Sequence, residues 1–170
     1  NISGTGGLTR GIGAGVVRDC TVEGIQTTAG HASGINAAVT DNTGTAVITG
    51  TGENCRVRNI TASGTASGIY YFGTTRGCAV SSIIATHGSG GATGIYGPNV
   101  SESQVLSVLA SADASGISGN NVVDCFVQFI KNTNGGNSSG IVLDDGFATF
   151  RSGVARHCTV RGSGKYGIFA

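Results

Sequence analysis

Residues 67–83, Ser-Gly-Ile-Tyr-Tyr-Phe-Gly-Thr-Thr-Arg-Gly-Cys-Ala-Val-Ser-Ser-Ile, decide the fold, because two phrases within this stretch recur along the chain. The first phrase is Gly-Ile, usually after Ser or Thr, and it occurs at residues 11–12, 34–35, 68–69, 94–95, 116–117, 140–141 and 167–168. The second is Cys-x-Val-x-x-Ile, which begins at Cys20, Cys55, Cys78 and Cys125, with a substituted copy at Ser103 and a partial copy at Cys158. Self-similarity at a period of tens of residues is typical of a repeat architecture.

The spacing of the second phrase gives the repeat length. Equivalent positions of successive repeats form a column, and successive members of the Cys column are 35, 23, 25, 22 and 33 residues apart. The basic unit therefore has 22 to 25 residues, and the two longer spacings each contain an insertion. Cys and Val, two residues apart, face the same side of a strand. The three-residue step from Val to Ile implies a bend four residues after Cys, at positions that favour turns: Gly24, Asn59, Ser82, Ser107 and Gly162.

These patterns predict an all-β solenoid. Glycine accounts for 31 of the 170 residues, and no apolar stripe with helical spacing lasts three turns. Each unit is one coil of short strands whose apolar face is buried only when coils stack. We therefore predict one parallel β-helix domain over residues 1–170, with about six coils at about 4.8 Å spacing. The Ile, Val and Cys columns should face inward, the Gly column should serve a turn, and Ser33, Ser67, Thr93, Ser115 and Ser139 should stack as a hydroxyl column.

The chain resembles the right-handed parallel β-helix proteins of the pectate-lyase-like superfamily, in a degenerate bacterial surface or extracellular form. The resemblance rests on the Gly-Ile and Cys-x-Val-x-x-Ile phrases and covers nearly all 170 residues. It implies a right-handed coil and an extracellular or cell-surface location. It leaves the function open, because the superfamily includes polysaccharide lyases and hydrolases, phage tailspikes, adhesins and passive surface fibres.

Composition excludes two classes of partner. Charged residues make up 11% of the chain and the formal net charge is +1, so no basic footprint for nucleic acid or an anionic membrane is present. No run of 18 apolar residues occurs, so no membrane span is predicted.

The ends of the sequence and the absence of Met lead us to expect a processed segment of something longer. Asn1-Ile2 aligns with Asn59-Ile60, inside a coil, and residues 167–170 also lie within one. Two alternatives remain: a fragment of a longer β-helix, or a subunit whose open ends stack on its neighbours. We accordingly expect a structural fibre, sheath or adhesin segment that associates end to end. A carbohydrate-binding or carbohydrate-cleaving β-helix with a polysaccharide partner is the alternative.

Five cysteines fall in one inward column, where a free thiol behaves as a small apolar side chain. Free stacked thiols are the favoured interpretation, with one or two disulfides between neighbouring coils as an alternative. No metal and no cofactor is predicted, because the sequence has no C-x-x-C pair and no His at ligand spacing.

Catalysis would require clustered acids with a basic partner. Glu102 and Asp124 are consecutive acids in the column before Cys, but the column before that holds Ser101 and Val123 in the same coils, so a cationic partner is not expected. Asp144 and Asp145 form the other acidic candidate, for Ca²⁺ or catalysis.

Outward positions give two further predictions. Tyr70 and Tyr96 follow the Ile column in adjacent coils, with Tyr71 beside them, and can bind a sugar face, fill a lateral contact between rods or simply stabilise the ladder. Glu23 and Arg58 should form a surface ion pair. The two insertions, Asn36–Asn54 and Val142–His157, should emerge on one side of the rod, the first as a hairpin around residues 41–44.

Overall fold

The computed structural model describes residues 2–5, 7–37, 39–40, 46–47, 50–70, 73–143 and 153–169. Within these residues the structure is a parallel β-solenoid of about six coils, with strands, turns and bends and no helix. The predicted fold class is therefore confirmed. Each coil adds one strand in turn to three long parallel sheets, here called A, B and C.

Sheet A has eight strands, because one coil contributes two short segments to it: Ile2–Gly4, Thr21–Thr27, Arg56–Ala62, Ala79–Ala85, Gln104–Val105, Val108–Ala110, Phe126–Asn132 and Thr159–Ser163. Sheet B has seven strands: Leu8–Gly13, His31–Asn36, Ala66–Tyr70, Ala92–Tyr96, Ala114–Ser118, Ser138–Val142 and Tyr166–Phe169. Sheet C has six: Val16–Arg18, Thr51–Glu53, Thr74–Arg76, Asn99–Ser101, Asn121–Val123 and Val154–Arg156.

The register of the strands matches the columns read from the sequence. In sheet A, Val57 pairs with Val80 and Ile60 with Ile83; in sheet B, Ile69 pairs with Ile95. These side chains form one continuous apolar core between the sheets. The predicted inward direction of the Val and Ile columns is therefore confirmed.

The Gly column has a different role from the one predicted. None of its members within the inner coils adopts a positive φ, so a turn is not what requires glycine there. A Cβ added to Gly94 would lie 2.5 Å from the carbonyl oxygen of Gly116 and 2.5 Å from a methyl of Val105 in sheet A. Gly68 and Gly116 meet the same two kinds of atom. Glycine is required because sheets A and B approach too closely for any side chain.

Two bends shape each coil. The bend four residues after Cys has a positive φ at Gly24, Asn59, Ser82 and Gly162, as their residue types predicted. A second left-handed corner joins sheet C to sheet A, at Asp19, Asn54, Gly77, Glu102, Asp124 and His157. The column before Cys, in which the sequence analysis placed Glu102 and Asp124, is therefore a corner between two sheets and not part of a strand. The Asp, Asn and Gly residues in this column tolerate a positive φ, and they could have indicated the corner from the sequence.

The first insertion contains the predicted hairpin. Val39–Thr40 pairs antiparallel with Ala46–Val47, and the chain has joined sheet C by Thr51. The insertion is thus shorter than Asn36–Asn54. Most of the second insertion, including residues 144–152, lies outside the described residues.

The five cysteines are free thiols. Cys55, Cys78 and Cys125 are fully buried, which confirms their inward direction. Each thiol donates a hydrogen bond to the carbonyl oxygen two residues earlier, as from Cys55 Sγ to Glu53 O at 3.1 Å. In the coil that lacks Cys, Ser103 Oγ makes the equivalent bond to Ser101 O at 2.7 Å. The column therefore selects a small side chain that can donate to the carbonyl beside the corner.

Stability should fall at alkaline pH because of this burial. Desolvation raises the pKa of Cys78 to about 12 and that of Cys125 to about 11, from an ordinary value of 9.0. The pKa of each buried thiol is higher in the folded chain than in the unfolded chain. The stability that the neutral, buried thiols contribute is therefore complete below pH 9 and is lost as the pH rises towards 11 and 12. Each thiol should lower the free energy of unfolding by about 1 kcal/mol per pH unit in that window.

Urea unfolding between pH 8 and pH 11 measures this loss. The control is the chain carrying Cys78→Ser and Cys125→Ser, which keeps a donor at each position, as Ser103 does, and removes the titration. Its stability should decline less steeply with pH than that of the native chain. Equal slopes for both chains would show that the buried thiols are not responsible.

Candidate functional site

The outer face of sheet B carries the strongest candidate site. Its hydroxyl column lies in register from coil to coil, with Ser33 beside Ser67, Ser67 beside Thr93, and Thr93 beside Ser115. The side chains of this column are short, whereas those of the columns on either side are longer, so the face has a groove along its middle. The predicted hydroxyl column is confirmed in its register, and it forms the floor of a groove.

Tyr70 and Tyr96 stand along one side of this face. Their ring centroids are 5.0 Å apart and the ring planes differ by 21°, so the rings are stacked. This arrangement confirms that the two tyrosines are neighbours in adjacent coils. Tyr71, the third candidate in this group, lies outside the described residues.

The groove is open and polar at its floor. Beside Tyr70 it has a volume of about 350 Å³ and is lined by Arg10, His31, Ser33, Asn36 and Ser67, among others. The same columns form a second hollow of about 160 Å³ towards the last coils, lined by residues that include Asp113, Ser115, Asn137, Ser139 and Phe169. The hydroxyl groups thus repeat along the rod at the spacing of the coils, whereas the tyrosines occur in two adjacent coils.

The acidic candidates lie elsewhere. Glu102 and Asp124 are both at the left-handed corner between sheets C and A, away from the groove. Glu102 forms a 2.9 Å ion pair with Arg76 of the preceding coil, and Asp124 lies 3.1 Å from His157 Nδ1 of the following coil. The expectation that these acids lack a cationic partner is wrong for Glu102, because Arg76 comes from the neighbouring coil and not from the same one. The hydrogen bond that Arg76 donates to Glu102, and the negative charge of that carboxylate, raise the pKa of Arg76.

Other ion pairs on the surface follow the same pattern. Arg58 and Glu23 are 2.7 Å apart, which confirms that prediction, and Arg18 and Glu53 are 2.8 Å apart. All of these side chains are substantially exposed, so each pair contributes less than about 1 kcal/mol to stability. They join coils at the surface and do not form a reaction centre.

The described residues contain neither a cluster suited to a metal ion nor a membrane-spanning helix. Among the described residues, no three His, Cys, Asp or Glu side chains are grouped so that they could hold a metal ion. Asp144 and Asp145 are outside those residues, so the acidic pair stays a prediction. The described part of the chain contains no helix that is long and apolar enough to cross a membrane.

One residue that the sequence analysis did not select stands out on sheet A. Phe129 occupies the bend column at φ 56°, where the neighbouring coils carry Ser107 and Gly162, and its side chain is 61% exposed. The phrase Cys-x-Val-x-x-Ile leaves this position free, so the motif gave no reason to examine it. The sequence could have indicated Phe129, because the equivalent position in the other coils holds Gly, Asn or Ser.

Comparison with known proteins identified no relative of this chain. No family model, no curated protein and no solved structure matches the chain. The fold is therefore established by the strand register, and the function is argued from the surfaces described above.

Proposed function

We propose that this chain is a structural segment of an extracellular fibre, sheath or adhesin, built as a right-handed β-helix of the pectate-lyase-like type and extended by end-to-end stacking of coils. The observation that carries the proposal is the continuity of the inward columns. Apolar or small side chains recur at equivalent inward positions of successive coils, as in the pairs Val57–Val80 and Ile69–Ile95.

The exposure of these side chains can be compared within a column. Ile2 belongs to the column of Ile25 and Ile60, which are fully buried, yet Ile2 is 43% exposed. At the other end, Ile168 pairs with the fully buried Ile141 and is 49% exposed. Burying an isoleucine side chain stabilises a protein by about 1.5–3 kcal/mol. A neighbouring copy stacked against these side chains would cover their exposed part, gain part of this energy and pair the outer strand edge.

End-to-end stacking is a heterologous contact, because the two ends of the rod differ. Such a contact grows into a filament if the rotation between copies does not close a ring. We expect the 170-residue chain to form rods of increasing length as its concentration rises. Light scattering and electron microscopy at micromolar concentration measure this growth.

Matched variants distinguish end-to-end stacking from nonspecific association through exposed apolar side chains. Ile168→Ser combined with Phe169→Ser should shorten the rods, because both side chains lie at the last coil. Leu106→Ser removes an apolar side chain that is 39% exposed in an inner coil, and should leave rod length unchanged. A chain that stays monomeric at every concentration, or equal shortening by the two changes, would contradict end-to-end assembly.

Carbohydrate binding is a second candidate, favoured by the groove on sheet B. Aromatic rings pack against the apolar faces of sugar rings, and the hydroxyl groups that line the groove beside the tyrosine pair are of the kind that bonds to sugar hydroxyls. Because the hydroxyl column repeats with the coils, the groove suits an extended polysaccharide chain. The acids at the corner are distant from it, so these contacts support binding rather than cleavage.

Calorimetric titration with linear oligosaccharides of glucose, galactose and galacturonic acid tests this candidate. At least one should bind, and Tyr70→Ala or Tyr96→Ala should weaken it by about tenfold or more. Val16→Ser, a change of an exposed side chain on sheet C, is the control and should have no effect. Failure of all three sugars to bind, or equal binding by the tyrosine variants, would eliminate the groove as their site.

A further inference from the structure

A set of four apolar side chains lies on the outer face of sheet A, on the side of the rod formed by neither the groove nor the end coils. It consists of Leu106, Leu109, Phe126 and Phe129, and is called the Phe129 patch below. Leu106 and Phe129 are exposed, and Leu109 and Phe126 are partly exposed. Gln104 pairs with Phe126 and Leu109 with Lys131, so the four side chains occupy neighbouring coils of one sheet face.

The backbone at Phe129 is the first reason to look for a function. A bulky residue at positive φ is a conformational outlier, and Phe129 has φ 56°. The equivalent residues with positive φ in other coils are Gly24, Asn59, Ser82 and Gly162, which adopt this conformation more readily. The fold therefore needs a bend here but not a phenylalanine, and it holds an exposed aromatic side chain at a strained position. Strain and exposure at one residue point to a role outside folding.

The surroundings support the aromatic ring. Gly162 in the next coil leaves space beside it, since a Cβ there would lie 3.3 Å from Phe129 Cδ1. The guanidinium carbon of Arg161 lies 5.9 Å from the centroid of the Phe126 ring, a cation–π distance. The patch thus joins two aromatic rings to a cation held against one of them.

The charge around the patch is positive and unbalanced. Arg161 and Lys131 are exposed and belong to none of the ion pairs among the described residues. Two described acids are engaged with other residues, Glu102 with Arg76 and Asp124 with His157, so neither is paired with Arg161 or Lys131. An occupant with carboxylates at its margin would therefore be complementary to this patch.

We propose that the Phe129 patch is a lateral docking site for a protein partner whose contact surface is apolar at its centre and acidic at its rim. Two of the four apolar side chains are aliphatic, which suits leucine-type side chains of a protein better than a hydroxylated sugar. Aromatic residues and Arg are enriched where protein interfaces gain most of their energy. This inference does not depend on end-to-end assembly or on the groove, because it concerns a different face of the rod.

A defined probe tests the proposal: an amphipathic helical peptide of about 20 residues with Leu on one face and Glu on the others. Its binding to the native chain is measured by fluorescence anisotropy at low and high salt. We expect saturable binding that weakens with salt, and binding at least about tenfold weaker for the same peptide with Lys in place of Glu. Equal binding of the two peptides, or no binding of the Glu peptide, would overturn the proposal.

Variants of the chain separate a docking role from a structural one. Phe129→Asn should abolish binding and raise the melting temperature by about 2–4 °C, because Asn59 already occupies the same bend. Arg161→Gln should weaken binding of the Glu peptide, whereas Val16→Ser should leave it unchanged. A lower melting temperature for Phe129→Asn would mean that the ring stabilises the fold, and would contradict the docking role.

Two other occupants are distinguished with the same variants. If Phe129→Asn abolishes dimerisation of the chain in sedimentation velocity, the occupant is a second copy. If it abolishes binding to vesicles of phosphatidylcholine and phosphatidylserine, the occupant is a membrane surface. Either result, with no preference for the acidic peptide, would contradict an acidic protein partner.

Discussion

Replacing Val57 by Asp should strongly destabilise the rod and lower its melting temperature far more than a surface substitution does. Val57 is 1% exposed, lies in the Val column of sheet A and pairs with Val22 and Val80 in the adjacent coils. An aspartate there would place an unpaired charge in the core, at a cost of several kcal/mol. Since the total stability of a domain is about 5–15 kcal/mol, this loss is a large part of it. Circular dichroism and thermal melting measure the effect.

The neighbouring residue supplies the control. Arg58 points outward and forms the exposed ion pair with Glu23. Arg58→Asp introduces the same side chain one position away and should lower the free energy of unfolding by less than about 1 kcal/mol. Similar melting temperatures for the two variants would mean that the inward and outward assignments are wrong.

Gly94→Ala should be strongly destabilising, like a methyl group added to any other inner member of the Gly column. The new Cβ would meet a backbone oxygen of Gly116, which cannot move without disturbing sheet B, as well as Val105. Overpacking of this kind costs about 1–3 kcal/mol, and we expect the upper end of that range. Urea unfolding measures the loss.

Gly88→Ala is the matched control for this change. No atom lies within 4 Å of a Cβ at Gly88, and its backbone is not in the left-handed region. The substitution should therefore be neutral or stabilise the chain by up to about 1 kcal/mol. If Gly94→Ala is as mild as Gly88→Ala, sheets A and B do not approach as closely as described.

The columns could be predicted because the repeat itself supplies the evidence. Cys55, Val57 and Ile60 recur at fixed offsets, and a solenoid places equivalent residues in register. Two features could be recognised only from the structure. Arg76 pairs with Glu102 because they are neighbours across coils at positions one residue apart, which comparison within one column does not reveal. Gly94 is needed for an approach between sheets, which depends on the path of both strands.

The candidate sites were predicted less completely. Tyr70 and Tyr96 followed directly from the register, since both come after an Ile of the same column. The groove beside them did not, because its shape depends on small side chains between two taller columns. Phe129 was missed for the opposite reason: the bend could be predicted from Gly24 and Asn59, and an aromatic side chain at a bend carries no repeat signal.

The most direct test of the central claim is cryo-electron microscopy of the native material. A structural solenoid predicts rods with a repeat of about 4.8 Å along the axis that continue beyond about six coils. The coils of this chain should be stacked in that rod with further coils against Ile2 and Ile168. Isolated particles of about six coils, with these two isoleucines open to solvent, would contradict the proposal.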